Sequence, residues 1–267
     1  MAFPRTALET EFNYRIPPED GEPKPSFGKN PVDPGVVRHH LHPFTVRNGR
    51  VIATSLEVEG FQLVPHRTEV NDFYDSTEIQ TLYYDEIRAL ATELTGAKTV
   101  RVLGHLTRNE AEAEQGKRLG AHRLVHSDFT PALKQLLLGS MVDPEQLRGR
   151  IAIFNMWRRF DPGKLHAPLA VCDARSVSPD DLLPTDLHNY GGQQGFQLEI
   201  YQALHNPEHR WFFFPEMERD EMLVFKTYDS EMDPFIPTLH SAFDDPSCPA
   251  DAPPRESIEA RALCFFG

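Results

Sequence analysis

The sequence predicts a mainly β protein with flanking α-helices, in which helices pack against a β-barrel or double sheet as in jelly-roll folds. Two observations predict the parts. Helical periodicity is confined to the first half of the chain. The second half is a series of short runs rich in β-branched and aromatic residues, parted by Gly and Pro. Their order, helices first and strands after, fits helices laid against a β core.

Taken from the N-terminus, residues 14–35 carry Pro17, Pro18, Pro23, Pro25, Pro31 and Pro34 with Gly21, Gly28 and Gly35. That density forbids regular structure and predicts an extended, Pro-rich arm over about 1–45, lying on the surface or wrapped around the domain or a neighbouring subunit. Ile79, Leu82, Tyr83, Ile87, Leu90, Ala91 and Leu94 then recur at helical spacing. Asp72, Ser76 or Thr77 can cap that helix, and Gly96 ends it. Residues 99–103 read as a strand, 108–119 as a second, more charged helix, and 131–138 as a short helix continued past the turn at Asp143-Pro144. Strands follow at 150–157, 169–172, 195–204, 210–214, 221–228 and 257–266. The aromatic run Trp211 to Phe214 reads as core packing.

A length of 267 residues suits a single domain spanning 1–267. The 27 Lys plus Arg against 40 Asp plus Glu give a net charge of -13. A field of that sign repels phosphate backbones and anionic lipid, which argues against nucleic-acid and membrane partners. No apolar run approaches the roughly 18–20 residues that cross a bilayer. The N-terminus lacks the charged-then-apolar pattern of a secretory leader. Cys172, Cys248 and Cys264 are odd in number and widely spaced, so they suggest neither a disulfide framework nor a CxxC zinc site, and a cytoplasmic setting suits them. The oligomeric state stays open, a homodimer included.

The central chemical signal is Val125-His126-Ser127-Asp128. In a strand, residues i and i+2 share a face, so His126 and Asp128 can hold one ion side by side. A third ligand must come from another strand, and His240 in Thr238-Leu239-His240-Ser241 is the leading candidate, with His205 and His209 as substitutes. Two histidines and one carboxylate leave open positions on an octahedron. That suits iron(II) oxygenases, which bind a bidentate 2-oxo acid and dioxygen together. An HxD pair alone is a weak signal among 12 histidines. It gains weight from Arg255-Glu256-Ser257, where Arg255 and Ser257 alternate onto one face. A guanidinium and a hydroxyl there can hold the far carboxylate of 2-oxoglutarate. Arg261 shares that face and is the competing anchor.

Asn155 and Trp157 share a face of the strand at 150–157 and can line a substrate or co-substrate pocket, with Arg158 beside them; a core Trp with a satisfied Asn is the alternative. Tyr228 is a candidate donor to 2-oxoglutarate, with Lys226 near it. His39, His40 and His42 lie in the Pro-rich arm and are expected to face solvent. The competing functional readings are a non-catalytic jelly-roll binding protein, a 2-oxoglutarate-independent iron oxidase and a zinc hydrolase. The last would have little use for an Arg-Ser carboxylate anchor.

These residues resemble a known group. Tyr228-Asp229-Ser230, His240-Ser241-Ala242-Phe243 and Pro254-Arg255-Glu256-Ser257-Ile258-Glu259-Ala260-Arg261 are similar to the fungal AsaB-like hydroxylase/desaturase family, which is related to gibberellin desaturases and CmcJ-like proteins. Phe154-Asn155-Met156-Trp157-Arg158, Pro168-Leu169-Ala170-Val171-Cys172-Asp173, Glu11-Phe12-Asn13-Tyr14 and Pro17-Pro18-Glu19-Asp20-Gly21 fit it too, so the resemblance spans nearly the whole chain. It implies a double-stranded β-helix (jelly-roll, cupin-like) core and iron(II), 2-oxoglutarate and dioxygen chemistry on a small-molecule substrate in secondary metabolism. It implies His126, Asp128 and His240 as ligands and Arg255 as co-substrate anchor. The gap from Asp128 to His240 is longer than in plant-type enzymes, which makes His240 the ligand most in need of structural support.

Overall fold

The computed structural model describes residues 6–27, 38–138, 144–161, 163, 165–189, 195 and 197–267. Its strands form two curled sheets lying face to face. Numbered in chain order, the larger runs β1 (Ala7–Arg15), β3 (His39–Asn48), β11 (Trp211–Phe213), β8 (Leu169–Cys172), β13 (His240–Ala242), β6 (His126–Ser127), β10 (Gln197–Ala203), β9 (Leu182–His188) and β2 (Ser26–Phe27). The smaller runs β4 (Phe61–Pro65), β12 (Glu221–Asp229), β7 (Ile151–Arg159), β14 (Glu256–Phe265) and β5 (Thr99–Asn109).

Strand alternation explains how one run of sequence serves two layers. In β7, Asn155 and Trp157 point between the sheets, whereas Ala152, Phe154 and Met156 point outward. The outward set packs against a helix that caps the smaller sheet, through Ile79, Tyr83, Ile87, Leu90 and Ala91. That helix runs from α1 (Ser76–Glu78) through a π turn at Ile79–Tyr83 into α2 (Tyr84–Thr95). Asp75, not Asp72, Ser76 or Thr77, caps it, accepting from Thr77 N at 2.7 Å. Gly96 closes it in the left-handed conformation at φ 71°. The helix expected at 108–119 is only α3 (Glu110–Glu114), because β5 continues to Asn109 and claims the residues before it. Helix α4 (Leu133–Leu138) and a 3₁₀ turn at Pro144–Leu147 stand on either side of 139–143, which lie outside the described residues. No helix among the described residues is long and apolar enough to cross a membrane.

The Pro-rich arm is the main departure from expectation. Residues 28–37 lie outside the described residues, but β1 and β3 on either side form an antiparallel hairpin in the larger sheet. β3 pairs with β11, while Asn13 bridges to Leu124 and Arg15 to Leu204. The hairpin therefore curls behind β6 and β13 and encloses a second core of Phe12, Tyr14, Phe44, Trp211, Phe213 and Phe243. Phe12 stacks on Trp211 at 4.2 Å. The prolines fall between the two strands rather than within β1, which is why their density hid the hairpin.

Inside that core, Tyr14 Oη accepts from Trp211 Nε1 at 3.0 Å and is joined to His209 Nδ1 at 2.8 Å. His209 Nε2 meets Asp181 at 3.1 Å. Tyr14→Phe leaves the ring packed but strands two buried polar partners. It is expected to cost about 1–3 kcal/mol, read as a lower urea midpoint; an unchanged midpoint would show these bonds contribute nothing net.

Candidate active site

The three predicted ligands meet on the inner face of the larger sheet. β6 is sandwiched between β13 and β10, and His126 pairs directly with His240 across the β13–β6 ladder. One ligand atom from each of His126, Asp128 and His240 can be chosen so that all lie within 4.8 Å of one another, and all three residues are buried. The long sequence gap before His240 therefore separates neighbours in space. His205 and His209 are not brought to this point: His205 stacks on His42 at 3.8 Å and His209 sits in the Tyr14 core.

The neighbours of the three side chains orient them. His126 Nδ1 is 2.8 Å from the carbonyl of Leu124, and His240 Nδ1 is 3.3 Å from that of Thr238. Each ring thus donates outward and leaves Nε2 with its lone pair toward the centre. Thr238 is itself fixed, its hydroxyl donating to Gly60 O at 2.9 Å. Gly60 has φ 87°, and a Cβ there would lie 2.5 Å from the Thr238 hydroxyl, so glycine is required. Asp128 Oδ2 accepts from Asn155 Nδ2 at 2.7 Å and from Arg261 Nε at 2.9 Å, leaving Oδ1 3.6 Å from His126 Nε2. Thr227 donates to Asn155 Oδ1 at 3.1 Å, which turns the amide hydrogens toward Asp128.

Electrostatics agree with this geometry. Burial depresses the His126 pKa to about 3, helped by His240, and the His240 pKa to about 4, so both imidazoles are neutral. Burial would raise Asp128, but Arg261 and then the two histidines more than offset it and hold the carboxyl well below its usual range. Glu259, which accepts from Arg261 Nη2 at 2.8 Å, is raised by burial against the pull of Arg261.

The folded histidine values lie below the ordinary 6.5, so their share of stability is complete above that pH and lost as pH falls toward 4. Asp128, being depressed, loses its share at still lower pH. The metal-free protein is therefore expected to unfold at lower urea as pH drops from neutral to about 5. A flat profile would contradict the burial of these rings as neutral groups. Asn155→Ala should weaken metal binding by about 10- to 100-fold by freeing Asp128 to rotate, measured by competition with a chelator.

On the facing sheet, Arg255 is 2% exposed and its Nη1 donates to Ala167 O at 2.7 Å. Its guanidinium lies over the Trp157 ring at 5.6 Å. Burial, with Arg108 next, lowers its pKa to about 9, as expected of a buried cation lacking a close anion. Arg255 Nε and the Ser257 hydroxyl are buried with no hydrogen-bond partner. Two orphaned donors, on the residue just before β14 and on Ser257 two positions along, fit a carboxylate, and so fit 2-oxoglutarate.

Arg158 is not brought to the site. It follows Trp157 and so points to the helix side, where Nη2 meets His66 Nδ1 at 2.5 Å and the guanidinium lies over Phe73 and Tyr83. Tyr228 lies in an apolar cluster with Ile153, Phe235 and Leu263, and no hydrogen bond joins it to the ligand residues among the described residues. Lys226 turns to Asp229 at 3.3 Å. Sequence reasoning missed Thr227, Thr238, Gly60 and Glu259. For Glu259 the signal was present, since it continues the alternation of Arg255 and Ser257 toward Arg261.

A jelly roll with two histidines and a carboxylate on its inner face, opposite a buried Arg-Ser pair, has the architecture of the iron- and 2-oxo-acid-dependent oxygenases. Comparison with known proteins agrees. The family described as "Oxidoreductase/YMDC permease-like domain" matches residues 12–265. The chain is 32% identical to the Fe(II)/2-oxoglutarate-dependent dioxygenase nvfI of Aspergillus novofumigatus, over 99% of this chain and 94% of that one. It is 31% identical to the hydroxylase/desaturase CTB9 of Cercospora beticola, over 97% and 86% of the two chains. The solved structure of the iron and alpha-ketoglutarate-dependent endoperoxidase NvfI superposes with a TM-score of 0.83 at 29% identity, covering 98% and 99% of the chains. The chain belongs to this family of fungal-type Fe(II)/2-oxoglutarate-dependent dioxygenases, the AsaB-like hydroxylase/desaturases.

Proposed function

We propose that His126, Asp128 and His240 hold iron(II) and that Arg255 and Ser257 hold the distal carboxylate of 2-oxoglutarate, in a single-domain oxygenase that hydroxylates or desaturates a small molecule of secondary metabolism. The observation that carries this reading is the convergence of the three ligand atoms with both outward imidazole nitrogens tied to carbonyls. When bound, iron(II) with 2-oxoglutarate and dioxygen supplies an oxidant able to take hydrogen from an unactivated C–H bond.

The chain's own residues do the rest. The two Nε2 atoms and Asp128 Oδ1 present the ligand set, while Asn155 and Arg261 keep Asp128 from swinging away. Phe225 packs its ring 4.7 Å from that of His240. With Trp157, Leu223, Val171 and Phe212 it forms an apolar wall that excludes water beside the site. The three cysteines are free, in keeping with work in a reducing cytoplasm. The test is uncoupled turnover: purified protein with iron(II) should consume dioxygen and form succinate only when 2-oxoglutarate is supplied. Iron binding without succinate formation would favour a 2-oxoglutarate-independent oxidase.

A further inference from the structure

A second polar group shares the metal-facing side of the larger sheet. Gln202 pairs with His126 across the β10–β6 ladder, so both side chains leave the sheet on the same side, about 5 Å apart. Gln202 Nε2 donates to His39 Nε2 at 3.0 Å, and Gln202 Oε1 accepts from Thr185 at 3.3 Å. His39 faces Arg15 across the β1–β3 hairpin. Arg15 bridges to Leu204, two residues beyond Gln202, which places Arg15, His39 and Gln202 on one face.

Arg15 is 7% exposed, and among the described residues its guanidinium makes one hydrogen bond, from Nη1 to Arg38 O at 2.7 Å. No carboxylate is ion-paired with it there, since Glu22 pairs with Arg38 at 2.8 Å. Burial and then the charge of Arg15 keep His39 neutral, with a pKa of about 4. With Nε2 accepting from Gln202, its Nδ1 carries the proton. The groups these three residues leave over are all donors: the guanidinium, the His39 Nδ1–H and the second amide hydrogen of Gln202; the His122 ring, 4.4 Å from that of His126, adds a neutral imidazole beside them.

We propose that Arg15, His39 and Gln202 form the subsite that anchors the substrate, and that the substrate is a small acid whose carboxylate sits there while its carbon framework reaches past His126. A carboxylate accepts from every one of these donors and neutralises Arg15, whereas a hydroxyl or amide would bring donors that find few acceptors. This rests on the reading of His126 as an iron ligand. It also separates the two acids of the reaction: 2-oxoglutarate is held on the smaller sheet, the substrate on the larger.

The test uses the Mn(II)-loaded protein saturated with 2-oxoglutarate, titrated with 4-methylbenzoate, octanoate and their neutral amides and followed by probe NMR. The acids should bind saturably, about tenfold or more tighter than the amides, with paramagnetic broadening greatest at the end far from the carboxylate. Arg15→Gln and Gln202→Glu should abolish that preference, and Arg15→Lys should keep part of it. Both Arg15 variants should retain the wild-type affinity for Mn(II) and 2-oxoglutarate, which shows they are folded. The proposal is overturned if neither acid binds, if acids and amides bind alike, or if Arg15→Gln keeps the preference. The same titration of the chelated protein by calorimetry tests the subsite separately, so failure to hold Mn(II) would sink the iron reading alone.

Discussion

Arg255→Ala is expected to raise the 2-oxoglutarate requirement by roughly 30-fold to several thousand-fold while leaving iron binding nearly intact. The figure follows from the cost of removing one partner of a buried, two-pronged charge pair, about 2–5 kcal/mol, with each 1.4 kcal/mol worth tenfold. Burial puts Arg255 in that class, and its orphaned Nε and the orphaned Ser257 hydroxyl are donors that a carboxylate would satisfy. Arg255→Lys should recover part of the loss, since the charge survives but the fork does not. Arg261→Ala should behave differently. Its guanidinium bridges Asp128 and Glu259, so its removal should weaken metal binding first. Titrating 2-oxoglutarate against succinate formation for both variants decides the matter. A large loss in Arg261→Ala with none in Arg255→Ala would exchange their roles.

His126→Ala and His240→Ala are each expected to lose iron and turnover together. Loss of a ligand should exceed the about 10- to 100-fold effect of losing an outer partner such as Asn155, because two remaining ligands compete poorly with water and buffer. Asp128→Ala should match them, while Asp128→Glu should keep some metal in poor geometry. Metal content after desalting, read beside succinate formation, separates failed binding from failed chemistry. Wild-type turnover in purified His126→Ala would remove that residue from the site.

What could be read from sequence follows from how local each signal was. The HxD pair was legible because strand period alone puts both side chains on one face, and Arg255 with Ser257 for the same reason. Trp211 to Phe214 was legible as core, although not that alternation sends Trp211 and Phe213 to one core and Phe212 and Phe214 to another. Arg158 was misplaced because β7 is buried on both sides, so hydrophobicity along Ile151–Arg159 gives no clue to which face looks at the metal. The hairpin of β1 and β3 was lost behind prolines and histidines that pattern as loop. His39, expected in solvent, is half-buried against Gln202 for that reason. The roles of Gly60 and Thr238 depend on tertiary contacts that no local pattern announces.

The closing of the second core by the N-terminal hairpin has a consequence for the order of events during synthesis. Tyr14 leaves the ribosome early, yet its partners His209 and Trp211 follow 195 and 197 residues later. At about 5–20 residues per second, Tyr14 and Phe12 wait roughly 10–40 s with an unfilled aromatic face. Asn13, on the same strand, receives the backbone of Val125 beside His126, a partner made well before Trp211. The first strand thus gains its hairpin partner β3 early, while its aromatic side is among the last surfaces to be covered.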